Sequence, residues 1–304
     1  MPLNTHESRL PVNPPAIDAA QILRAAATLG IIGASADFSP RLLTLLCSPQ
    51  SSGLEIASLI ATEPAMYARI LRVANSPYYG HARSITTLER ALLLLGRAAV
   101  RAIAAATCFD RTMARSIKGT TIDMQALLRH SLTTAVAAEA LAAIARRPIA
   151  TEAFIAGLLH NLGIAVQIHL DPPGIDAMIE ANRSGGRSTI RQLECDHARV
   201  GHEDCLALVF HAWSMPDSLV ACARHHHEPM DAPESVRDMA ALVNLGATLG
   251  LATGATHTLE PNAVERHEPA MRWLGLTAEH LDGVSIRLPA LVAELGTALF
   301  DRAA

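Results

Sequence analysis

Apolar side chains recur at helical spacing along most of the chain. Leucines at positions 42, 43, 45 and 46 mark one such stretch, and Ile56, Leu59 and Ile60 mark the next. Runs of β-branched residues are short, and no stretch alternates apolar and polar positions as a half-exposed strand does. The pattern therefore predicts an all-α fold.

Local signals mark where several helices begin and end. Ser52 and Glu55 form a capping-box pattern, in which a hydroxyl and a carboxylate satisfy exposed backbone N–H groups. Thr86 and Glu89 form a second such pattern. Pro77 disfavours a helical backbone at the residue before it, so the preceding helix ends there and a turn, PYYG, follows.

These signals divide the chain into about a dozen helices. Residues 1–16 hold four prolines and predict a mobile lead-in. Beyond the two capping boxes, we predict helices over about 87–109, 122–146, 150–169, 175–183, 188–195, 197–212, 216–226, 234–252, 262–274 and 277–301.

Composition narrows the class of protein. A chain of 304 residues, 50% of them hydrophobic, is long enough to bury a sizeable core. Its net charge is −4 and Lys118 is its only lysine, which weighs against nucleic-acid binding.

Cysteine usage and polarity indicate the cellular setting. The five cysteines form no Cys-x-x-Cys pair, and the start of the chain lacks a signal-peptide pattern, so we expect a cytoplasmic protein. Residues 153–170 and 239–259 lack charged groups apart from histidine, but each holds several polar side chains. We expect these segments to be buried helices rather than membrane spans.

Two short motifs carry the candidate chemistry. His160 and Asn161 lie in LLHNLG, and His226 and His227 lie in RHHHEP. Metallophosphohydrolase sites combine imidazoles with carboxylates around divalent ions. An asparagine at such a position can offer a neutral oxygen, but it cannot act as a general base. The motifs therefore indicate a site of this kind that has lost acids.

Longer segments identify a family. The chain resembles the HDOD family, the HD-related output domains of bacterial signalling proteins. The matching segments are TEPAMYARILRVANSPYYG (62–80), SITTLERALLLLG (84–96), RHSLTTAVAAEAL (129–141), AFIAGLLHNLG (153–163) and DHARVGHEDCLALVFHAWSMPDSLVACARHHHEP (196–229). HDOD proteins are mostly regarded as non-catalytic modules, whereas the related HD-GYP branch hydrolyses cyclic di-GMP with metals.

The resemblance implies an N-terminal helical bundle packed on a C-terminal bundle similar to the HD metallophosphohydrolase core. On this basis we expect the N-terminal bundle over residues 17–115 and the HD-like bundle over 120–232. Residues 233–304 then form a C-terminal helical extension.

The resemblance also implies a set of pocket residues for metal or ligand: His130, His160, Asn161, His197 or His202, His226, His227 and Asn244. Both expected acids are asparagines here, at positions 161 and 244. The lysine that follows the His-Asp pair in HD-GYP proteins is absent, because Ile164 lies just after the motif, and the Gly-Tyr-Pro loop is missing too.

The remaining imidazoles would suit one divalent transition metal, namely Zn, Fe, Ni or Mn, with an asparagine or glutamate oxygen. Glu194 and Glu228 are the nearest carboxylates in the sequence. An equally open interpretation places both glutamates on solvated helix faces, in a pocket without metal.

Three functional hypotheses follow. The first is a non-catalytic signalling module that acts as a protein-interaction platform, with a degenerate pocket for a small ligand or metal. The second is a metal-dependent phosphohydrolase acting on a cyclic or linear nucleotide, with Glu228 or Glu194 as its catalytic acid. The third is a nucleotide sensor, in which Arg129 and Arg224 bind phosphate.

The expected partners are other signalling proteins. The closing helix carries Leu288, Leu291, Val292, Leu295 and Leu299 at helical spacing, so the extension is a candidate for packing on the bundle, for homodimerisation or for partner docking.

Overall fold

The computed structural model describes residues 17–29, 38–47, 51–76, 84–116, 121–184, 188–262 and 265–300. It confirms the all-α fold, and the described part of the chain contains no strand beyond one isolated bridge between His257 and Glu260. The predicted lead-in and the PYYG turn lie outside these residues.

Fifteen α-helices make up the described fold: α1 (Ala19–Thr28), α2 (Phe38–Cys47), α3 (Gly53–Ala61), α4 (Pro64–Ala74), α5 (Leu88–Ser116), α6 (Met124–Ile144), α7 (Ala150–Leu159), α8 (Gly163–Leu170), α9 (Pro172–Arg183), α10 (Ile190–His197), α11 (His202–Ala212), α12 (Asp217–His225), α13 (Arg237–Ala252), α14 (Glu268–Leu274) and α15 (Ala278–Phe300). Two 3₁₀ turns, Pro229–Asp231 and Glu234–Val236, join α12 to α13.

The first capping box forms as predicted, and the second is displaced. The Ser52 hydroxyl accepts from the N–H of Glu55 (3.2 Å), while the Glu55 carboxylate accepts from the N–H of Ser52 (2.7 Å). At the start of α5 the hydroxyl that accepts from Arg90 N–H (3.4 Å) belongs to Thr87 instead of Thr86. Two adjacent threonines offer the same capping group, so the sequence does not separate them.

Helices α2, α3 and α4 pack against α5 and form the N-terminal bundle. Helix α5 is interrupted at Gly96, whose φ of 70° favours glycine. Helix α5 also packs against α7 and α8, and so joins the N-terminal bundle to the HD-like bundle.

Helix α1 departs from the expected division at residue 17. It packs against α8 and α11, which belong to the HD-like bundle, and the Ile17 N–H donates to the carbonyl of Arg199 (3.3 Å). The reason lies in its apolar face, since Ile22, Ala25 and Ala26 are all buried.

Helix α6 is the centre of the molecule. It packs against α7, α13 and α15, so two helices of the C-terminal extension complete the same core. Its buried residues include His130, Ser131 and Thr134 as well as leucines and alanines. Burial on all sides explains why its apolar pattern is continuous rather than one-sided.

The predicted helix 150–169 is two helices, because the chain turns at His160, Asn161 and Leu162. Here α8 approaches α11 so closely that a Cβ on Gly163 would lie 2.0 Å from the carbonyl oxygen of His202. Only glycine permits this contact, and it brings the His-Asn motif beside the start of α11.

The segment Ala150–Leu170 is long and apolar enough to span a membrane by length and composition. However, 89% of its most apolar stretch is buried inside the protein, as in the core helix of a bundle.

Candidate metal centre

Six histidine rings meet where α6, α7, α11 and α12 converge with the loop after α13. They are His130, His160, His202, His226, His227 and His257. Adjacent ring centroids are 4.3 to 5.3 Å apart. Five of the rings are buried, and His227 is half-buried.

Three of these rings are oriented by the backbone. Each donates from Nδ1 to a carbonyl oxygen: His130 to Ala255 (2.9 Å), His160 to Gly157 (2.7 Å) and His226 to Ala223 (3.1 Å). A carbonyl can only accept, so the proton lies on Nδ1 and a neutral ring keeps its lone pair on Nε2. This is the tautomer in which Nε2 binds a metal.

A carboxylate orients His202. Glu194 Oε1 accepts from Nδ1 of His202 (2.7 Å), from its backbone N–H (2.9 Å) and from Nε2 of Gln167 (2.8 Å). A carboxylate behind a histidine is a common arrangement at metal sites, where it fixes the ring and raises its basicity. Burial lowers the pKa of His202, but the charge of Glu194 outweighs it and raises that pKa to about 9.

The Nε2 atoms of three rings converge. His202 Nε2 lies 3.2 Å from that of His226 and 3.3 Å from that of His227. Ligands of a tetrahedral ion with bonds of about 2.0–2.1 Å are about 3.3–3.4 Å apart. Without metal, a protonated His202 can donate to one of its neighbours. The geometry therefore fits either a shared proton or a shared cation.

Burial favours the neutral form of His130, His160, His226 and His227. It lowers the pKa of His130 to about 4 and that of His227 to about 3. Burial also lowers the pKa values of His160 and His226 well below their usual range, with neighbouring histidines adding to the effect. Neutral imidazoles are the form that binds metal.

A second group comprises His130, His257 and Glu260, whose ligand atoms lie within 4.8 Å of one another. Burial raises the pKa of Glu260, but the contact with His257 and the electrostatic influence of His227 and His130 lower it overall. Neither loop residue was predicted from the sequence as a pocket residue, because both lie beyond the segments that resemble the family. The signal available was a histidine and a glutamate three residues apart in a predicted loop.

The two asparagines take different positions. Asn244 is half-buried, and its Nδ2 donates to the carbonyls of His226 (2.8 Å) and His227 (3.3 Å). Both partners are acceptors, so the amide NH₂ must face them. Asn161 is buried, and its Nδ2 has no hydrogen-bond partner among the described residues.

The expectation that His197 joins the cluster is wrong. His197 lies exposed at the end of α10, and His202, five residues later, supplies the ring. The reason is that α11 begins at His202 and turns this side chain into the core, whereas His197, the last residue of α10, lies on the surface.

A small cavity of about 170 Å³ opens beside the histidines. Glu228 is exposed at its rim, while Glu194 lies deeper behind His202. Arg129 and Arg224 are exposed and do not line it. The arginine that does is Arg191, which pairs with Glu203 (3.2 Å).

Comparison with known protein families matches the N-terminal and HD-like parts of the chain. The sequence profile of the HDOD domain matches residues 34–229. The chain belongs to the HDOD family. This confirms the family expected from the sequence, and the C-terminal extension lies beyond the family match.

Relatives of this HDOD protein share its fold at low sequence identity. A "Putative signal transduction protein" of Marinobacter aquaeolei VT8 aligns with a TM-score of 0.73 and 20% identity, over 92% of this chain and 64% of that one. A "Putative phosphohydrolase" of Shewanella amazonensis SB2B aligns with a TM-score of 0.68 and 19% identity, over 92% and 98%. An HDOD domain protein with unknown function from Geobacter sulfurreducens gives 0.66 and 18%, over 91% and 98%.

An uncharacterized protein of Treponema pallidum (strain Nichols) is 23% identical over 192 residues, which are 62% of this chain and 36% of that protein. The chain thus spans about a third of the length of this curated relative, and somewhat under two thirds of the Marinobacter structure.

Proposed function

We propose that this HDOD protein is a non-catalytic signal-transduction module whose histidine pocket binds a divalent transition metal. His202, His226 and His227 would hold the ion, with Glu194 orienting His202. The metal would lock α11 and α12 together and so set the shape that a partner protein recognises.

The observation that carries the non-catalytic part is the bonding of Asn244. Its amide holds the backbone of the histidine pair, a task that a carboxylate cannot perform because it has no N–H to donate. The position implied for an acid is therefore used for structure. Asn161, at the other such position, cannot act as a base either.

When bound, a divalent ion would supply positive charge and could lower the pKa of water. Neither Glu194 nor Glu228, the two candidate catalytic residues, is well placed to take a proton from such a water. Glu194 already accepts three hydrogen bonds, and Glu228 is exposed. A cavity of about 170 Å³ is smaller than the roughly 300–1,000 Å³ of typical small-molecule pockets.

An exposed apolar surface supports the role as an interaction platform. Leu54 on α3 and Leu93 on α5 are 81% and 85% exposed, and they line a groove of about 310 Å³. Contiguous exposed apolar surface often marks a protein-binding site. Other signalling proteins are the partners we propose for it.

The test is a hydrolysis assay on untagged protein loaded with Mn²⁺, Fe²⁺ or Mg²⁺, using cyclic di-GMP, (p)ppGpp and a simple phosphodiester. We expect no turnover above that of His160→Ala. Metal-dependent turnover that disappears in His160→Ala would contradict the proposal.

A second candidate is a metal-dependent phosphohydrolase. The observation that favours it is Glu260, a buried carboxylate that lines the cavity next to the histidines. In that case Glu228→Gln or Glu260→Gln would slow turnover of a phosphodiester while the protein still bound its first equivalent of metal.

A further inference from the structure

The loop after α13 brings two further metal-binding side chains into the pocket. His257 and Glu260 close a short turn, in which the His257 N–H donates to Glu260 O (3.2 Å) and the Glu260 N–H donates to His257 O (3.0 Å). Their side chains are buried, and His257 Nε2 lies 3.4 Å from Glu260 Oε2.

Neighbouring elements fix this turn in place. The hydroxyl of Thr258 accepts from the N–H of Asp123 (2.9 Å), and Asn182 Nδ2 donates to the carbonyl of Leu259 (2.9 Å). Leu259 itself is fully buried. The turn therefore fixes the side chains of His257 and Glu260 before any ligand binds, and a binding site needs such preorganisation.

His130 completes the group. Its Nδ1 donates to the carbonyl of Ala255 (2.9 Å), at the start of the same loop, so its Nε2 keeps the lone pair. That Nε2 is buried and has no hydrogen-bond partner among the described residues. The loop thus orients His130 and also supplies its two neighbours.

Hydrogen bonds within the described residues do not satisfy this group. Neither ring nitrogen of His257 has a partner of good geometry there. A buried polar atom without a partner is unfavourable, because it has lost its hydrogen bonds to water without replacing them. A ring nitrogen of His257 faces Glu260 at 3.4 Å, yet His130 Nε2 and the other ring nitrogen of His257 remain unpaired among the described residues. A cation would engage one nitrogen of each ring together with the carboxylate.

We propose that His130, His257 and Glu260 form a second metal site in the pocket, distinct from that of His202, His226 and His227. The first of these two sites rests on the proposed function. The second site deepens that function and is argued from its own residues. Through the second site, the extension supplies the acid that positions 161 and 244 no longer offer.

Two imidazoles and one carboxylate favour a borderline divalent ion such as Zn²⁺, Fe²⁺ or Co²⁺, whereas Mg²⁺ and Ca²⁺ prefer oxygen ligands. The 3.4 Å between His257 and Glu260 agrees with the separation of about 3.3–3.4 Å expected for ligands of a tetrahedral ion.

The test counts bound ions. Untagged full-length protein is stripped with a chelator and titrated with Zn²⁺ alone, and bound metal is measured by ICP-MS and native mass spectrometry. We expect two equivalents in the wild type and one each in Glu260→Gln, His257→Gln and His227→Gln. Glu265→Gln, which removes the same charge at an exposed position on the cavity rim, should retain two.

The outcomes separate the two sites. One equivalent that persists in Glu260→Gln and is lost in His227→Gln overturns the second site alone. One equivalent that persists in His227→Gln and is lost in Glu260→Gln overturns the first site, and with it the proposed function. The same result supports the second site. If Glu260→Gln does not fold, anomalous diffraction from zinc-soaked wild-type crystals decides between two peaks, which support the proposal, and a single peak among His202, His226 and His227, which overturns it.

Discussion

At the scale of single residues, Asn244 shows how a site position can change its task. Its NH₂ group bridges the carbonyls of His226 and His227, which holds the end of α12 against α13. An aspartate there would turn a carboxylate toward two carbonyl oxygens. Asn161 differs, because its Nδ2 has no hydrogen-bond partner among the described residues and its replacement therefore breaks no bond from that atom.

We therefore expect Asn244→Asp to lower the free energy of unfolding of metal-free protein by about 1–3 kcal/mol, the cost of leaving buried acceptors unpaired. Urea unfolding in a chelating buffer at pH 7 measures this change. Asn161→Asp is the matched control and should cost less. An equal cost at the two positions would show that the Asn244 bonds do not hold the pair.

The Glu194–His202 pair predicts a dependence on alkaline pH. The folded pKa of His202 is raised to about 9, above its unfolded value near 6.5, so its stabilisation is complete below pH 6.5 and is lost as pH rises through 9. Metal-free protein should lose about 1.4 kcal/mol of stability per pH unit in that window. Chemical unfolding at pH 6.5, 7.5 and 8.5 should show a flatter profile in Glu194→Gln; identical slopes would contradict the pairing.

His130 and His227 act in the opposite direction. The folded pKa values of His130, about 4, and His227, about 3, are depressed below the unfolded value. The unfolded chain therefore binds protons first as pH falls below 6.5. We expect metal-free protein to lose stability between pH 6.5 and about 4, which unfolding curves at pH 6 and pH 5 would detect. Constant stability there would mean that these rings take up protons in the fold at the same pH as in the unfolded chain, which would contradict their depressed pKa values.

Sequence resemblance placed His130, His160, His226 and His227 in the pocket, and the structure brings all four together. It could not choose between His197 and His202, because a loop of a few residues decides which ring turns inward. His257 and Glu260 were out of reach for another reason. They approach His130 only through the folding of α13 against α6, a contact between residues more than 120 positions apart.

At the scale of elements, periodicity and capping predicted most helices to within a few residues. The principal miss is the break between α7 and α8, where apolar residues resume directly after His160 and Asn161 and no proline marks the turn. The break depends on a tertiary contact, the approach of Gly163 to His202. A pattern along the sequence cannot show such a contact.

Gly163→Ala tests that contact. Its Cβ would overlap the carbonyl of His202, so α8 and α11 must separate, and we expect a loss of about 3 kcal/mol or more together with weaker metal binding. Gly283→Ala in α15 is the control, since nothing lies near its Cβ, and it should stabilise by about 0.5–1 kcal/mol. Thermal unfolding of the two variants gives the comparison; a neutral Gly163→Ala would contradict the close packing.

At the scale of the whole molecule, the extension belongs to the core. Leu242, Leu245 and Leu249 of α13 and Leu288 of α15 are fully buried, and both helices pack on α6. The expected boundary at residue 232 does not separate an independent layer, although the family match ends at 229.

We expect a chain truncated after residue 232 to lose cooperative unfolding, because it would expose this apolar surface of α6. Circular dichroism and thermal unfolding of residues 1–232 beside the full chain measure this. A truncated chain with a sharp transition would show that the HDOD match folds without the extension.

The central claim is that the histidine pocket is a metal site, and metal content tests it most directly. ICP-MS on untagged protein, purified without chelator and beside His226→Ala, should find at least one equivalent of zinc, iron, nickel or manganese per chain, reduced by one equivalent in the variant. Wild-type protein that carries no metal and takes up none when zinc is supplied would contradict the account and leave the pocket as a cluster of histidines sharing a proton.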